Sequence, residues 1–303
     1  MSDDIKVGLI GGSGLGELLR SQTDGHRHEI DTPFGKPSDV ITETHIEGVP
    51  VCFLSRHGAG HLFNPSQVPY RANIFALKTL GVTHIIASGA VGSLREEFKP
   101  RDLVIPEQII DKTRRPATFF DHAAVHVEFA EPFDPILRQI LIEQGAVADI
   151  GFKTHNRGCY VAMEGPAFST RAESLMHRLW GGDLIGMTCM PEAKLAREAE
   201  IGYALIALVT DYDCWRPPAR KDGPVDPAEL MKEIIANLQS ASDNAVNLIR
   251  RSLRKIAEAP EALKASPALN ALKLAIWSDK KRIAAEQILA LGPIWKKYFE
   301  SAQ

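Results

Sequence analysis

Two carboxylates, Asp211 and Asp213, stand two residues apart in the stretch Val209-Thr210-Asp211-Tyr212-Asp213-Cys214-Trp215. They follow an apolar run, Tyr203 to Val209, that reads as a buried strand. Residues at i and i+2 of an extended chain face the same side. Ligands of open α/β sheets bind outside the carboxyl ends of the strands. The pair can therefore address one edge of a ligand, with an ordinary loop of turn-forming Asp residues as the competing reading.

Further polar groups follow other strand-like runs. Lys6 to Ile10 leads into Gly11-Gly12-Ser13-Gly14-Leu15-Gly16, a turn whose backbone N–H groups can converge on an anion, with Ser13 as a hydroxyl donor. The dinucleotide fingerprint does not fit, because its third glycine would fall on Glu17. A nicotinamide dehydrogenase is thus a poor reading. Val51 to Ser55 ends in Arg56-His57-Gly58, with His61 close behind. A guanidinium at a strand end is an anion clamp, although surface Arg-His pairs are common. His84 to Ala87 opens into Ser88-Gly89-Ala90-Val91-Gly92, whose small side chains allow close backbone approach. Asp183 to Met187 ends in Met187-Thr188.

An anion site and a carboxylate pair on one crevice suit a phosphate-using transferase. Neither G-x-S-x-G nor G-x-x-x-x-G-K-[ST] is present, which weakens esterase and nucleoside-triphosphatase readings. The four cysteines, Cys52, Cys159, Cys189 and Cys214, form no C-x-x-C pair. Reduced thiols in a cytoplasmic protein are expected, with no metal site.

These groups need a scaffold. The chain has 303 residues, 45% of them hydrophobic. That is enough for one large α/β domain or two smaller ones. Strands alternate with helical segments, which argues for a single mixed, mostly parallel sheet covered by helices. Tyr70 to Leu80 has helical spacing and stops at Gly81. Thr170-x-x-Glu173 is a capping box opening a helix that stops at Gly181-Gly182. Lys112 to Phe133 lacks periodicity and reads as a long functional loop. Residues 1–255 are expected to form the main domain and 256–303 a C-terminal helical extension, with helices over Pro227–Ala257 and from Leu272 to about Leu291.

The net charge of −3 and a pI near 6.4, without a long basic block, argue against nucleic acid as a partner. No run approaches the roughly 18 apolar residues of a membrane span.

The stretches already described, together with Asp31-Thr-Pro-Phe-Gly-Lys-Pro-Ser-Asp39, Gly92-Ser93-Leu94-Arg95-Glu96-Glu97, Ala130-Glu131-Pro132-Phe133 and Glu164-Gly165-Pro166 with Phe168-Ser169, resemble the methylthioadenosine phosphorylases of the trimeric-type purine nucleoside phosphorylase superfamily. The motifs occur in family order and cover residues 5 to 250.

The resemblance implies a pentosyl transfer: phosphate attacks C1′ of a 5′-deoxy-5′-methylthio nucleoside and adenine leaves. That reaction belongs to purine and methionine salvage, and phosphate is a co-substrate with no cofactor. It assigns catalysis to Asp211 and Asp213. Asp211 would handle a proton at purine N7, and Asp213 would accept from the 6-amino group, which a 6-oxo purine lacks. It implies a phosphate site of Ser13, Arg56, His57, Ala90 through its backbone, and Thr188. Phe168, Ser169, Met187 and Val225 would line the nucleoside, with His126 reaching a neighbouring subunit's site in a homotrimer.

The chain departs from the family pattern with Ser13 for Thr, with Gly89 for a Thr, and after Trp215. A broader 5′ or 6-oxopurine specificity is therefore an alternative, and a nucleoside-binding protein without turnover is another.

Overall fold

The computed structural model describes residues 5–12, 25–147, 152–216 and 226–299. Ser13 and Val225 lie outside the described residues.

The strands that carry the fold are continuous apolar runs, as expected where both sheet faces are covered. Strand β1 (Val7–Gly11) is buried throughout. A hairpin-like edge follows: β2 (His26–His28), β3 (Ile41–Ile46) and β4 (Val49–Ser55). Helix α1 (Tyr70–Thr79) leads to the long central strand β5 (His84–Ser93). Short strands β6 (Leu103–Val104) and β7 (Gln108–Asp111) come next, then helix α2 (Pro135–Ala146), β8 (Thr154–His155) and β9 (Cys159–Ala162). Helix α3 (Arg171–Leu179), β10 (Leu184–Gly186), helix α4 (Cys189–Glu198) and β11 (Gly202–Asp211) complete the sheet, and α5 (Pro227–Glu258) crosses it. Thr170 caps α3 in the capping box read from sequence.

The sheet runs β2-β3-β4-β1-β5-β10-β9-β7, with β11 on the other edge of β5 and β6 and β8 beyond it. The β1–β4, β1–β5, β5–β11, β9–β10, β7–β9 and β6–β8 pairs are parallel; β2–β3, β3–β4, β5–β10 and β6–β11 are antiparallel. The mixed, mostly parallel, helix-covered sheet is the architecture that the alternation of elements implies.

Two-residue periodicity sorts the core onto two faces. Tyr203, Leu205, Ala207 and Val209 of β11 join Ile74 and Leu77 of α1 and Leu195 of α4. Ala204, Ile206 and Leu208 face the other way, onto Leu137 and Leu141 of α2 and Leu248 and Ile249 of α5.

Beyond α5 the chain continues through α6 (Glu261–Lys264), a 3-10 turn at Pro267–Asn270, another at Lys280–Arg282, α7 (Ala285–Ala290) and α8 (Gly292–Trp295). The continuous helix expected over Leu272 to about Leu291 is not formed. Ile276 instead bridges Val125, and the Asp279 carboxylate accepts from Lys281 N–H at 3.0 Å to open a separate 3-10 turn. The tail is built into the fold. Leu272, Ala275, Ile294 and Trp295 belong to the same buried cluster as α1 and α4. Glu200, at φ 53°, accepts from Leu272 N–H at 3.1 Å and from the Tyr298 hydroxyl at 2.5 Å. Ser266 donates to the Asp134 carboxylate. Among the described residues, no helix is long and apolar enough to cross a membrane.

Candidate active site

The site forms where β5 changes neighbours. Strand β1 accompanies β5 only as far as Ala87, paired with Ile10. On the same edge β10 joins at Gly92, paired with Ile185. Among the described strands, none covers the edge between, Ser88 to Val91. This is a switch point of the kind at which open α/β sheets bind ligands. The ends of β1, β4, β10 and β11 all deliver residues toward it.

One pole is basic. Arg56 follows β4 and is fully buried. Its Nε and Nη2 donate to the two Glu192 oxygens at 2.8 and 2.9 Å, and its Nη1 donates to Ser88 O at 2.7 Å. Burial opposes the charge on Arg56, but the Glu192 carboxylate more than offsets it and holds the guanidinium protonated. The Tyr203 hydroxyl donates to Glu192 at 2.9 Å, so the carboxylate is clamped from both sides.

Gly12 lies against this group, since a Cβ there would come within 3.0 Å of Arg56 Nη1 and 3.2 Å of Ser88 O. At Gly89 a Cβ would come within 3.1 Å of Thr188 Oγ1. The glycines thus let β1, β5 and the Met187-Thr188 turn approach closely, and Ala90 next to them is exposed. His57 donates from Nδ1 to Phe63 O at 2.8 Å, which leaves Nε2 as its free nitrogen. Burial, with the Arg56 charge next to it, pushes its pKa down to about 4, so the ring is neutral at neutral pH. His61 stacks on it at 4.2 Å.

The other pole is acidic. The β5–β11 register slips between Val209 and Asp211, a bulge that re-aims the strand end. Asn237 of α5 donates to the freed Thr210 carbonyl at 3.0 Å, and the Thr210 hydroxyl donates to Asp211 at 2.6 Å. The second Asp211 oxygen accepts from Asp213 N–H at 2.9 Å. Burial raises the Asp211 pKa, those two hydrogen bonds pull it down, and the Asp213 charge adds to the rise.

Asp213 adopts φ 45° and packs on Gly92, where a Cβ would meet its own at 3.2 Å. Its Oδ2 is buried and has no partner among the described residues. A buried acceptor without a donor is costly unless a ligand supplies one.

Two residues after Asp213 tie this pole to neighbouring chain. The Cys214 thiol donates to Ser169 O at 3.2 Å, and Trp215 Nε1 donates to Ser93 O at 2.8 Å. Phe168, beside Ser169, is 81% exposed. Met187 is half-buried, and its sulfur lies where a Gly165 side chain would stand. His126 is exposed; its ring lies 4.6 Å from Trp277 and its N–H donates to Ala275 O. Its partners here belong to the C-terminal tail rather than to the strand ends.

Glu192, the Tyr203 hydroxyl and Asn237 are not indicated by the sequence, and Arg115, which reads there as solvated surface, has a side chain only 4% exposed. By sequence Glu192, after Pro191, reads as an ordinary first-turn helix residue. Nothing local distinguishes it, because Lys194, Arg197 and Glu198 on the same helix are charged as well. No group of three or more His, Cys, Asp or Glu among the described residues is placed to hold a metal.

Residues 6–254 match the family model of the phosphorylase superfamily. The S-methyl-5′-thioadenosine phosphorylase of Thermosynechococcus vestitus is 45% identical over 97% of this chain and 99% of its own. That of Ajellomyces capsulatus is 43% identical over 99% and 97%. A methylthioadenosine phosphorylase from an antarctic soil metagenomic library superposes with a TM-score of 0.86 at 44% identity, covering 97% and 99% of the two chains. The Schistosoma mansoni methylthioadenosine phosphorylase in complex with adenine gives 0.80 at 35%, covering 90% and 99%. With this similarity along nearly its whole length, and with a basic pole and a carboxylate pole at one sheet notch, the chain belongs to the phosphorylase superfamily and, within it, to the family of the S-methyl-5′-thioadenosine phosphorylases.

Proposed function

We propose that this chain carries out phosphorolysis of S-methyl-5′-thioadenosine to adenine and 5-methylthioribose 1-phosphate. The observation that carries this reading is the opposition, at one switch point, of Arg56 and the Gly12–Gly89–Thr188 cradle to the Asp211–Asp213 pair. Phosphate would lie at the first pole, held by Arg56, His57 Nε2, Thr188, the backbone at Ala90 and, outside the described residues, Ser13.

A phosphate oxygen attacks C1′, the C1′–N9 bond breaks, and its electron pair passes to the purine. Negative charge develops on the leaving base, so a proton at N7 stabilises the transition state more than the ground state. Asp211, with its raised pKa, suits that proton. Asp213 Oδ2 accepts from the 6-amino group. Phe168 stacks on the purine, with Ser169 beside it, and Met187 lies along the ribose. Val225, outside the described residues, would contribute to the 5′ pocket. No cofactor enters the reaction.

The assembly is a homotrimer in the cytoplasm, serving purine and methionine salvage, with His126 of each subunit completing a neighbour's site. Exposed His126 on a loop braced by the tail supports this part of the reading.

Base release from methylthioadenosine, methylthioinosine, adenosine, 5′-deoxyadenosine and inosine, each with and without phosphate, tests the proposal. Phosphate-dependent release of adenine from methylthioadenosine is expected. Release without phosphate, or from no substrate, would overturn it. Adenosine is the second reading to weigh, since the related Schistosoma mansoni enzyme is described as an adenosine/methylthioadenosine phosphorylase. Light scattering in solution reads the assembly, and a fully active monomer would remove the trans role of His126.

A further inference from the structure

Arg115 lies in the aperiodic loop after β7, in a short Arg114-Arg115 pair that by sequence reads as solvated surface. Its side chain is only 4% exposed. Its Nε donates to the Glu164 carboxylate at 3.0 Å, and Nη2 donates to the Glu164 carbonyl. Its Nη1 donates to Met187 O at 2.6 Å, to Met190 O at 2.9 Å, and toward the Tyr70 hydroxyl at 3.0 Å. One guanidinium therefore ties together two segments distant in sequence. The first is Glu164-Gly165-Pro166, which leads directly into Phe168-Ser169. The second is the turn Met187–Met190, which contains Thr188.

These segments differ in what else holds them. The Met187–Met190 turn has independent support. Tyr160 Oη accepts from Thr188 N–H at 3.3 Å, and Glu192, two residues beyond the turn, is locked to Arg56 and Tyr203. The Glu164 side chain is more than a third exposed, and its other partners are the Ser66 hydroxyl at 2.6 Å and Arg114 N–H at 2.8 Å, both on exposed chain. Arg115 is a buried side-chain link between this loop and the Met187–Met190 turn, beyond the backbone hydrogen bond from Met163 N–H to Gly186 O at 2.9 Å that joins the strands before them. A planar guanidinium can serve a carboxylate, a carbonyl beside it and two further carbonyls at once, whereas an ammonium offers a point charge on a flexible stem.

We infer that Arg115 is a positioning residue for the nucleoside: it sets the spacing between the Phe168–Ser169 wall and Met187, and leaves the phosphate pole to Arg56 and Glu192. The inference rests on the phosphorolysis reading above, and its test keeps the two apart.

Initial rates are measured with methylthioadenosine and phosphate each varied, together with thermal unfolding, for the wild type, Arg115→Lys and Arg115→Ala. Active wild type secures the reaction itself; a wild type without turnover would sink that reading and this one with it. Misplacement by about an ångström can cost roughly a hundredfold, so the nucleoside KM of Arg115→Ala is expected to rise by about ten- to a hundredfold. The phosphate KM should change less than about threefold, and Arg115→Lys should fall between. If Arg115→Ala does not fold, Arg115→Lys, which keeps the charge beside Glu164, carries the same comparison. Unchanged KM values in a folded variant, or equal rises in both KM values alongside a lowered Tm, would overturn the inference and leave Arg115 a purely structural residue.

Discussion

Arg56 and Glu192 form a two-pronged ion pair, 2.8 and 2.9 Å long, in which neither side chain reaches solvent. The pair joins the end of β4 to the first turn of α4, which are 136 positions apart in sequence. Its worth lies less in net stability than in holding a charge in place, because desolvation offsets most of the Coulomb gain of a buried pair. Removing one partner has the opposite character. Glu192→Ala strands the Arg56 charge and should cost about 3–5 kcal/mol in urea unfolding. It should also raise the phosphate KM while moving the nucleoside KM much less. Equal effects on the two would detach Glu192 from the phosphate pole.

Asp211 should set activity against stability. Burial raises its pKa, so keeping it ionised in the folded state has a cost. That cost is absent below the ordinary carboxylate pKa and complete above the raised one. Asp211→Asn is therefore expected to lower kcat by roughly 10²–10⁴-fold. At neutral pH it should also raise Tm, with the gain shrinking as the pH is lowered toward the ordinary carboxylate range. An Asn amide can still accept from Asp213 N–H through its oxygen and meet the Thr210 hydroxyl through its nitrogen, so the geometry survives. A Tm that falls at neutral pH would contradict the assignment.

Asp213 offers a clean specificity test, because Asn tolerates its positive φ. Asp213→Asn replaces an acceptor-only group by one that can donate. The ratio of kcat/KM for 6-amino over 6-oxo nucleosides should fall by at least about tenfold, since a mismatched buried polar pair costs about 1–3 kcal/mol. An unchanged ratio would remove Asp213 from base reading.

His57 predicts a pH dependence of stability. Its folded pKa near 4 lies below the ordinary imidazole value, so the fold favours the neutral ring. The associated stability is present above about pH 6.5 and is lost as the pH falls toward about 4. His57→Asn, whose amide can still donate to Phe63 O, should flatten that part of the stability–pH curve measured by denaturant unfolding. A slope identical to wild type between those values would refute the buried neutral state. The raised Asp211 pKa works in the opposite sense over part of this range, so the comparison is made between variant and wild type.

Much of the site was legible in the sequence because it lies at strand ends. Runs such as Tyr203 to Val209 announce strands, and Arg56-His57, Met187-Thr188 and Asp211-Tyr-Asp213 follow them directly. Strand periodicity, glycine at close approaches and the Thr170–Glu173 capping box are local properties, and local properties survive reading one residue at a time. The notch itself was not legible. It exists because β1 pairs with β5 only as far as Ala87 while β10 pairs with it from Gly92, and strand neighbours are decided by the whole sheet. Glu192 and Arg115 were invisible for the same reason, since each gains its meaning from a partner at least about 49 residues away in the chain. The tail shows the converse. Its apolar residues had the spacing of a helix, but Trp295, Ile294 and Leu272 were spent on filling the core over α1 and α4, and Ile276 on pairing with Val125. The sequence by itself determined which residue types stand at the strand ends, and so the class of chemistry they can do. Only the tertiary structure decided which of them meet, because burial and long-range pairing belong to the folded chain as a whole.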